Sequence, residues 1–191
     1  MKVIAVNGSA RKGGNTAEMI KRVFAQLEAE NIETEMIELA GKKMRGCIAC
    51  YKCFDSKDRL CAVKNDFMND CIKAMDEADG VILASPTYFA NVTTEMKALI
   101  DRAGLVARAN DDMFARKVGV GVVANRRGGA MQAFNALNAF FFIEQMIVPG
   151  SRYWNVGRGL DKGDVTKDDE GMETMDALGK NMAWLMKKIA D

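Results

Sequence analysis

The chain of 191 residues contains no histidine. That removes the commonest general base near neutral pH and the commonest neutral metal ligand. Any metal centre must therefore be built from sulfur or carboxylate. Charge of one sign is also lacking: 27 Lys+Arg face 26 Asp+Glu, for a formal net charge of +1. No basic excess points to nucleic acid or to an anionic membrane surface as a main partner. The apolar runs fall far short of the roughly 18 residues needed to span a bilayer. The first residues, MKVIAVNGSARKGG, enter a strand and a glycine loop without a small-residue cleavage site, so a cytoplasmic protein is expected.

What is present suits one globular domain spanning residues 1–191. The hydrophobic fraction of 49% and the charged fraction of 28% are ordinary for such a domain. At this size a core forms without disulfides. Four of the five cysteines, Cys47, Cys50, Cys53 and Cys61, nonetheless crowd into one short stretch. In a cytosolic chain such crowding points to metal binding or redox work more than to structural bridges.

Two hydrophobic periods alternate along the chain. Val3–Val6 is a short continuous apolar run, the mark of a buried parallel strand. Between Thr16 and Glu30, the residues Ile20, Val23, Phe24 and Leu27 share one helical face. Glu33–Leu39 reads as a weaker strand toward an edge, and 66–78 as a helix whose inner stripe includes Met68, Cys71, Ile72 and Met75. Cys71 is therefore expected to be a buried structural thiol. A strand at 81–84 is stopped by Ser85-Pro86, and Met96, Leu99, Ile100 and Ala103 mark the next helix. Lys117–Ala124 is a strand whose glycines imply close backbone approach. A helix follows at 130–142, then a fifth strand at Met146–Val148 and a final helix carrying six apolar residues from Met172 to Met186. The many methionines read as adaptable core filler. Five strand–helix alternations predict a doubly wound α/β fold: a five-stranded parallel sheet in the order 2-1-3-4-5, flavodoxin-like, with helices on both faces.

Two connections, 41–65 and 149–170, are too long to be passive. In this topology the ligand crevice lies beyond the carboxyl ends of strands 1 and 3, with strand 4 beside them. After strand 1 comes GSARKGGNT, whose glycines let backbone N–H groups converge at a helix N-terminus. Ser9, Asn15 and Thr16 add short polar donors there, and Arg11 adds charge. The bland alternative is a plain turn with Asn15 or Thr16 as N-cap. After strand 3 comes Ser85-Pro86-Thr87-Tyr88-Phe89, a stiffened turn with aromatics suited to a flat ring. After strand 4 comes Asn125-Arg126-Arg127-Gly128-Gly129, again permissive of close approach.

Together with the TTEMKALIDR segment, these stretches resemble the NADPH-dependent FMN reductase branch of the flavodoxin-like superfamily. Within it, CIACYKCFDSKDRLC resembles the compact cysteine motif of the iron–sulfur flavoproteins. The resemblance covers essentially the whole chain. It implies that Ser9, Arg11, Asn15 and Thr16 hold the FMN phosphate. It also implies that Pro86, Thr87, Tyr88 and Phe89, with Asn125, Gly128 and Gly129, frame the isoalloxazine. It further implies a [4Fe–4S] cluster on Cys47, Cys50, Cys53 and Cys61, assembly as a homodimer or tetramer, and a ferredoxin-like electron partner. No protein side chain is required as a catalytic acid or base, because FMN carries the chemistry.

By itself, the spacing C-x₂-C-x₂-C-x₇-C allows an iron–sulfur cluster, a zinc ion, or thiols without metal. Because the cysteine segment leaves strand 2 at its carboxyl end, a cluster there is expected on the flavin's side of the molecule, or facing a neighbour's flavin. Two other functions stand beside the iron–sulfur reading: a cluster-free NAD(P)H-dependent FMN or quinone reductase, and a non-catalytic flavodoxin-like shuttle. The near-zero net charge argues against the shuttle.

Overall fold

The computed structural model describes residues 1–190. Five strands form one parallel sheet: β1 (Lys2–Asn7), β2 (Glu33–Glu38), β3 (Gly80–Pro86), β4 (Val118–Asn125) and β5 (Val156–Arg158), in the order β2-β1-β3-β4-β5. The central strands β1, β3 and β4 are buried on both faces, which is why their sequences run continuously apolar. Edge strand β2 alternates exposure along Glu33–Met36, and its charges reflect this.

Helix α1 (Asn15–Glu28) and the long helix α6 (Asp169–Ala190) cover one face of the sheet. There Met19, Ile20, Val23 and Leu27 meet Met175, Leu178, Met182 and Met186 over Val3, Ala5, Ile82 and Val120. On the other face lie α3 (Met68–Glu77), α4 (Thr94–Ala109) and α5 (Ala130–Ile143), with a short α2 (Lys52–Ser56) packed outside α4. Buried Met68, Met75, Met96 and Met146 fill that core, as do Cys71, Phe114, Phe140 and Phe141. Phe141 lies over β4 so closely that a Cβ on Gly119 would come within 2.6 Å of its ring. Among the described residues, no helix is long and apolar enough to cross a membrane.

One expectation needs correction. Met146–Val148 does not form the fifth strand. Ile147 makes one parallel bridge with Val118, and the chain then leaves the sheet at Pro149. It returns at Val156–Arg158, which pairs with Val123–Asn125. Ile147 does pair, through backbone hydrogen bonds with Lys117 and Gly119, but it is exposed and Val148 is only half-buried, so the apolar run makes one edge contact and not a full strand. Strand β5 has no run of its own because it is three residues long and half covered. The three phenylalanines that stand in a row near the end of α5, Phe140, Phe141 and Phe142, differ in burial. Phe140 and Phe141 are core, whereas Phe142 is 67% exposed, as are Tyr153 (62%) and Trp154 (53%).

Glu144, just past the C-terminus of α5, is an anomaly in this core. It is buried, and its Oε2 has no hydrogen-bond partner. Burial pushes its carboxyl from an ordinary 4.5 up to about 7, with Arg108 partly opposing and Asp112 reinforcing the shift. The negative end of α5 acts in the same sense. The folded state therefore keeps a proton that the unfolded chain releases. This contribution to stability is complete below about pH 4.5 and is lost as the pH rises through about 7. Glu144→Gln is expected to raise stability at pH 8 by about 1–3 kcal/mol, with a much smaller gain at pH 5. Urea unfolding at the two pH values measures the difference; equal gains at both would exclude this origin.

Candidate functional site

The strand order reverses between β1 and β3, because β1 feeds α1 on one face and β3 feeds α4 on the other. A crevice opens there at the carboxyl ends of the strands. Its floor is tied across: the Gly8 N–H donates to the Ala84 carbonyl (2.7 Å), and the Thr93 hydroxyl donates to the Gly8 carbonyl (2.8 Å). Thr93 also caps α4, accepting from the Met96 N–H at 3.3 Å. Its own N–H donates to the Ser85 hydroxyl (3.0 Å).

Above this floor, Ser9, Arg11, Asn15, Thr16, Pro86, Thr87, Tyr88 and Asn125 line a single cleft of about 150 Å³. The Ser9 hydroxyl folds the loop by accepting from the Arg11 N–H (3.1 Å). Helix α1 then starts behind Gly14, and no side chain caps its first turn. The bland reading of Asn15 or Thr16 as N-cap is thus set aside. Uncapped N–H groups at a helix start are donors waiting for an acceptor, and the helix dipole favours an anion there. Asn15 lines the cleft and has a second task beside the one the motif suggested. Its Oδ1 accepts from the N–H groups of Gly163 (2.9 Å) and Val165 (3.3 Å), pinning a distant loop to α1. That loop brings Gly159, Leu160 and Lys162 into the cleft wall. Arg11 reaches across to the Leu160 carbonyl (2.9 Å). Arg11, Arg126 and Lys162 are the charged residues lining the cleft, with no carboxylate among them. This lining suits a phosphate.

The opposite wall is a tight turn. Tyr88 and Asn91 exchange backbone hydrogen bonds at 2.8 and 3.0 Å, with Phe89 (φ 46°) and Ala90 (φ 56°) both left-handed between them. Ala90 packs on the glycine turn after β4: a Cβ on Gly129, itself at φ +81°, would lie 3.2 Å from Ala90 Cα. Two buried oxygens here have no partner, Thr87 Oγ1 and Asn125 Oδ1. Both residues line the cleft, and a buried acceptor or hydroxyl left unpaired costs about 1–3 kcal/mol. A ligand with a phosphate at one end and a polar-edged ring at the other fits this set of orphaned groups.

Three motif residues stand apart. Gly128 and Gly129 line a neighbouring, wider depression of about 480 Å³ with Arg127, Tyr153, Trp154 and Arg158. Asn125 belongs to both spaces. Phe89 projects fully into solvent.

The four clustered cysteines do come together. Cys47, Cys50, Cys53 and Cys61 line one small, almost wholly apolar cavity, closed by Ile48, Tyr51 and Val63 and by Arg102, Leu105 and Val106 of α4. As they stand, no three His, Cys, Asp or Glu side chains among the described residues surround a point at metal-ligating distance. The donor set is nevertheless right for a thiolate-bound group: four soft sulfurs, apolar walls, and Cys47 and Cys50 on the solvent side. Burial lifts the Cys53 thiol above its ordinary value, as it does Cys71, which reaches about 12 inside the core. Cys71 is not part of the cavity.

Of the two placements expected for this cavity, beside the chain's own cleft or facing a neighbour's, the geometry disfavours the first. Helix α4 runs away from the cleft, starting at Thr93 beside Gly8. At 1.5 Å per residue, Arg102 to Val106 lie roughly 12–18 Å down its axis. The cysteine segment continues lower still, where the Arg59 N–H donates to Asn110 Oδ1 (3.0 Å) beyond the end of α4. The cavity therefore sits down the side of α4, away from the cleft at the helix's start. Motif reading also missed Arg102 itself. It occupies a core position in the stripe of Leu99, Ala103 and Val106, and an arginine in such a stripe was the available signal.

A sequence model of the family described as NADPH-dependent FMN reductase matches residues 1–161. The chain is 38% identical over 196 residues to an iron–sulfur flavoprotein of Methanocaldococcus jannaschii, covering 99% of each protein. It is 30% identical over 193 residues to an iron–sulfur flavoprotein of Methanosarcina thermophila, covering 99% of this chain and 97% of that one. Among solved structures, a flavodoxin from the domain Archaea superposes with a TM-score of 0.63 at 18% identity, covering 98% and 99% of the two chains. With its sheet order, its phosphate-suited cleft and these relatives, the chain belongs to the NADPH-dependent FMN reductase family and is a flavodoxin-like, FMN-dependent oxidoreductase.

Proposed function

We propose that this protein works as an iron–sulfur flavoprotein, passing electrons between FMN, a [4Fe–4S] cluster and a ferredoxin-like carrier. The observation that carries this reading is the gathering of Cys47, Cys50, Cys53 and Cys61 around one apolar cavity, in a chain whose full-length relatives bear that name. FMN supplies hydride or single-electron chemistry when bound, and a cluster supplies single-electron chemistry. Arg11, Lys162, Arg126 and the first turn of α1 would hold the phosphate. Thr87 Oγ1 and Asn125 Oδ1 would meet the polar parts of the flavin, and Tyr88 would flank it. The four cysteines would ligate the cluster. No side chain need move a proton.

Because the cysteine cavity lies well down α4, it is better placed to serve the flavin of another copy than its own. Exposed Phe142, Tyr153 and Trp154, which line one groove beside α5, would supply apolar surface on which copies meet. A homodimer or tetramer follows as part of the proposal. A cluster-free NAD(P)H-dependent reductase is the second reading. It is favoured by the wider depression beside the cleft, where Arg127 and Arg158 stand near two aromatic rings.

Arg11→Ala and Thr16→Ala are each expected to weaken FMN binding by about 1–3 kcal/mol, read by fluorescence titration of the flavin-free protein. Unchanged affinity in both would remove the phosphate assignment. Each of Cys47→Ser, Cys50→Ser, Cys53→Ser and Cys61→Ser should sharply lower the iron and sulfide content after anaerobic reconstitution while FMN still binds. Cys71→Ser should leave iron untouched. Wild-type protein that takes up no iron, yet is rapidly reduced by NAD(P)H, selects the second reading. Light scattering of the FMN-bound protein at micromolar concentration should give a dimer or tetramer; a monomer would count against the proposed assembly.

A further inference from the structure

The segment that carries the cysteines has little structure of its own. Between β2 and α3 the only regular element is the five-residue α2. Ala49, Tyr51, Lys57 and Arg59 all sit at positive φ (50°, 55°, 45° and 62°), a costly conformation for residues with side chains. Something outside the segment must hold it.

Arg102 has the required geometry. Its side chain is 1% exposed and its donors are shared among both flanks of the segment. Nη1 donates to the Arg45 carbonyl (3.0 Å), two residues before Cys47. Nη2 donates to the Val63 carbonyl (2.8 Å), two residues after Cys61. Nε donates to the Cys61 sulfur at 3.3 Å. Nη1 also pairs with the buried Asp66 carboxylate, which in turn accepts from the Arg45 N–H (3.0 Å) and the Met68 N–H (3.3 Å). Helix packing alone does not call for this residue. A leucine would fit the stripe, and buried ion pairs replaced by apolar residues are often no less stable.

We propose that Arg102 is the positioning residue of the cysteine cavity: from α4 it clamps both ends of the segment and holds the Cys61 sulfur toward the other three thiols. The inference rests on the reading of these cysteines as ligands. It goes further by assigning the assembly of the site to a guanidinium fork that makes no contact with the flavin cleft. When the cysteines hold a cluster, the same Nε–H remains on a ligating sulfur, where hydrogen bonding influences the reduction potential.

The test uses anaerobically reduced, iron-free protein with FMN bound, titrated with Co²⁺ and followed by thiolate-to-cobalt charge-transfer absorption. Wild type is expected to bind one Co²⁺ per chain. Arg102→Lys keeps the charge but not the fork, and should bind Co²⁺ about 10–100-fold more weakly, the usual scale for losing a partner that orients a ligand. The double variant R102L/D66L removes the buried ion pair as a unit. It should fold and retain FMN, by melting temperature and flavin content, yet lose cobalt affinity to at least the same extent. Wild-type cobalt affinity in either variant overturns the proposal. If wild type binds Co²⁺ but never forms a cluster on reconstitution with iron and sulfide, the iron–sulfur reading fails while the clamp stands on the variant comparison. If wild type binds neither, the thiols do not act together and both fall.

Discussion

The hydrogen bonds around Gly8 decide where the chemistry of this molecule can occur. The Gly8 amide and carbonyl are both engaged, one by Ala84 at the end of β3 and the other by Thr93 at the start of α4. They lock together the two chain segments that part company at the reversal of strand order. Because the floor is fixed, the first turn of α1 and the turn after β3 face each other across a cleft of constant width. Because Thr93 also caps α4, the same contact sets where that helix begins, and so how far from the flavin its later residues fall. The cleft and the position of the cysteine cavity are consequences of one local arrangement.

The two sites are held by different means. The flavin cleft is made largely from backbone: an uncapped helix start, a two-residue turn with both central residues left-handed, and a glycine turn packed against it. Such a site depends on loop shape, and its side chains mostly supply charge. The cysteine cavity relies on side chains reaching from neighbouring helices into a segment with little structure of its own: Arg102 of α4 bonds to both of its flanks, Asn69 of α3 brackets the Cys61 backbone, and Asn110 accepts from the Arg59 N–H.

This contrast explains what was legible in the sequence. Elements whose signal is local were readable: the buried strands from their apolar runs, α1 and α6 from their stripes, the phosphate loop from its glycines and short polar residues. The cysteine set was readable because four cysteines so closely spaced stand out in a chain with five. Contributions that depend on distant contacts were not. Lys162 and Leu160 are held in the cleft wall by Asn15 and Arg11, nearly 150 residues away; the length of their loop signalled a role, but not which of its residues would line the cleft. Asn15 was identified as a site residue and lines the cleft; that its Oδ1 also supports the wall was not readable. Strand β5 was misplaced because pairing at a sheet edge is decided by the neighbour and not by the strand's own composition.

The broken edge of the sheet has a consequence for how copies of this chain can associate. An exposed strand edge is a template for another strand, and natural sheets blunt it with short strands or charge. Here one edge offers a single bridge at Ile147, an excursion, and three residues of β5. The other carries Glu33 and Glu35, held by Lys2 at 3.6 and 2.7 Å. Neither edge offers a long, uncharged row of free amides, so the sheet is poorly suited to grow from one molecule into the next. Any association is left to side-chain surfaces, which can be specific about partner and register. For a flavoprotein, this disfavours open-ended stacking of sheets, in which cofactor sites would be buried between copies.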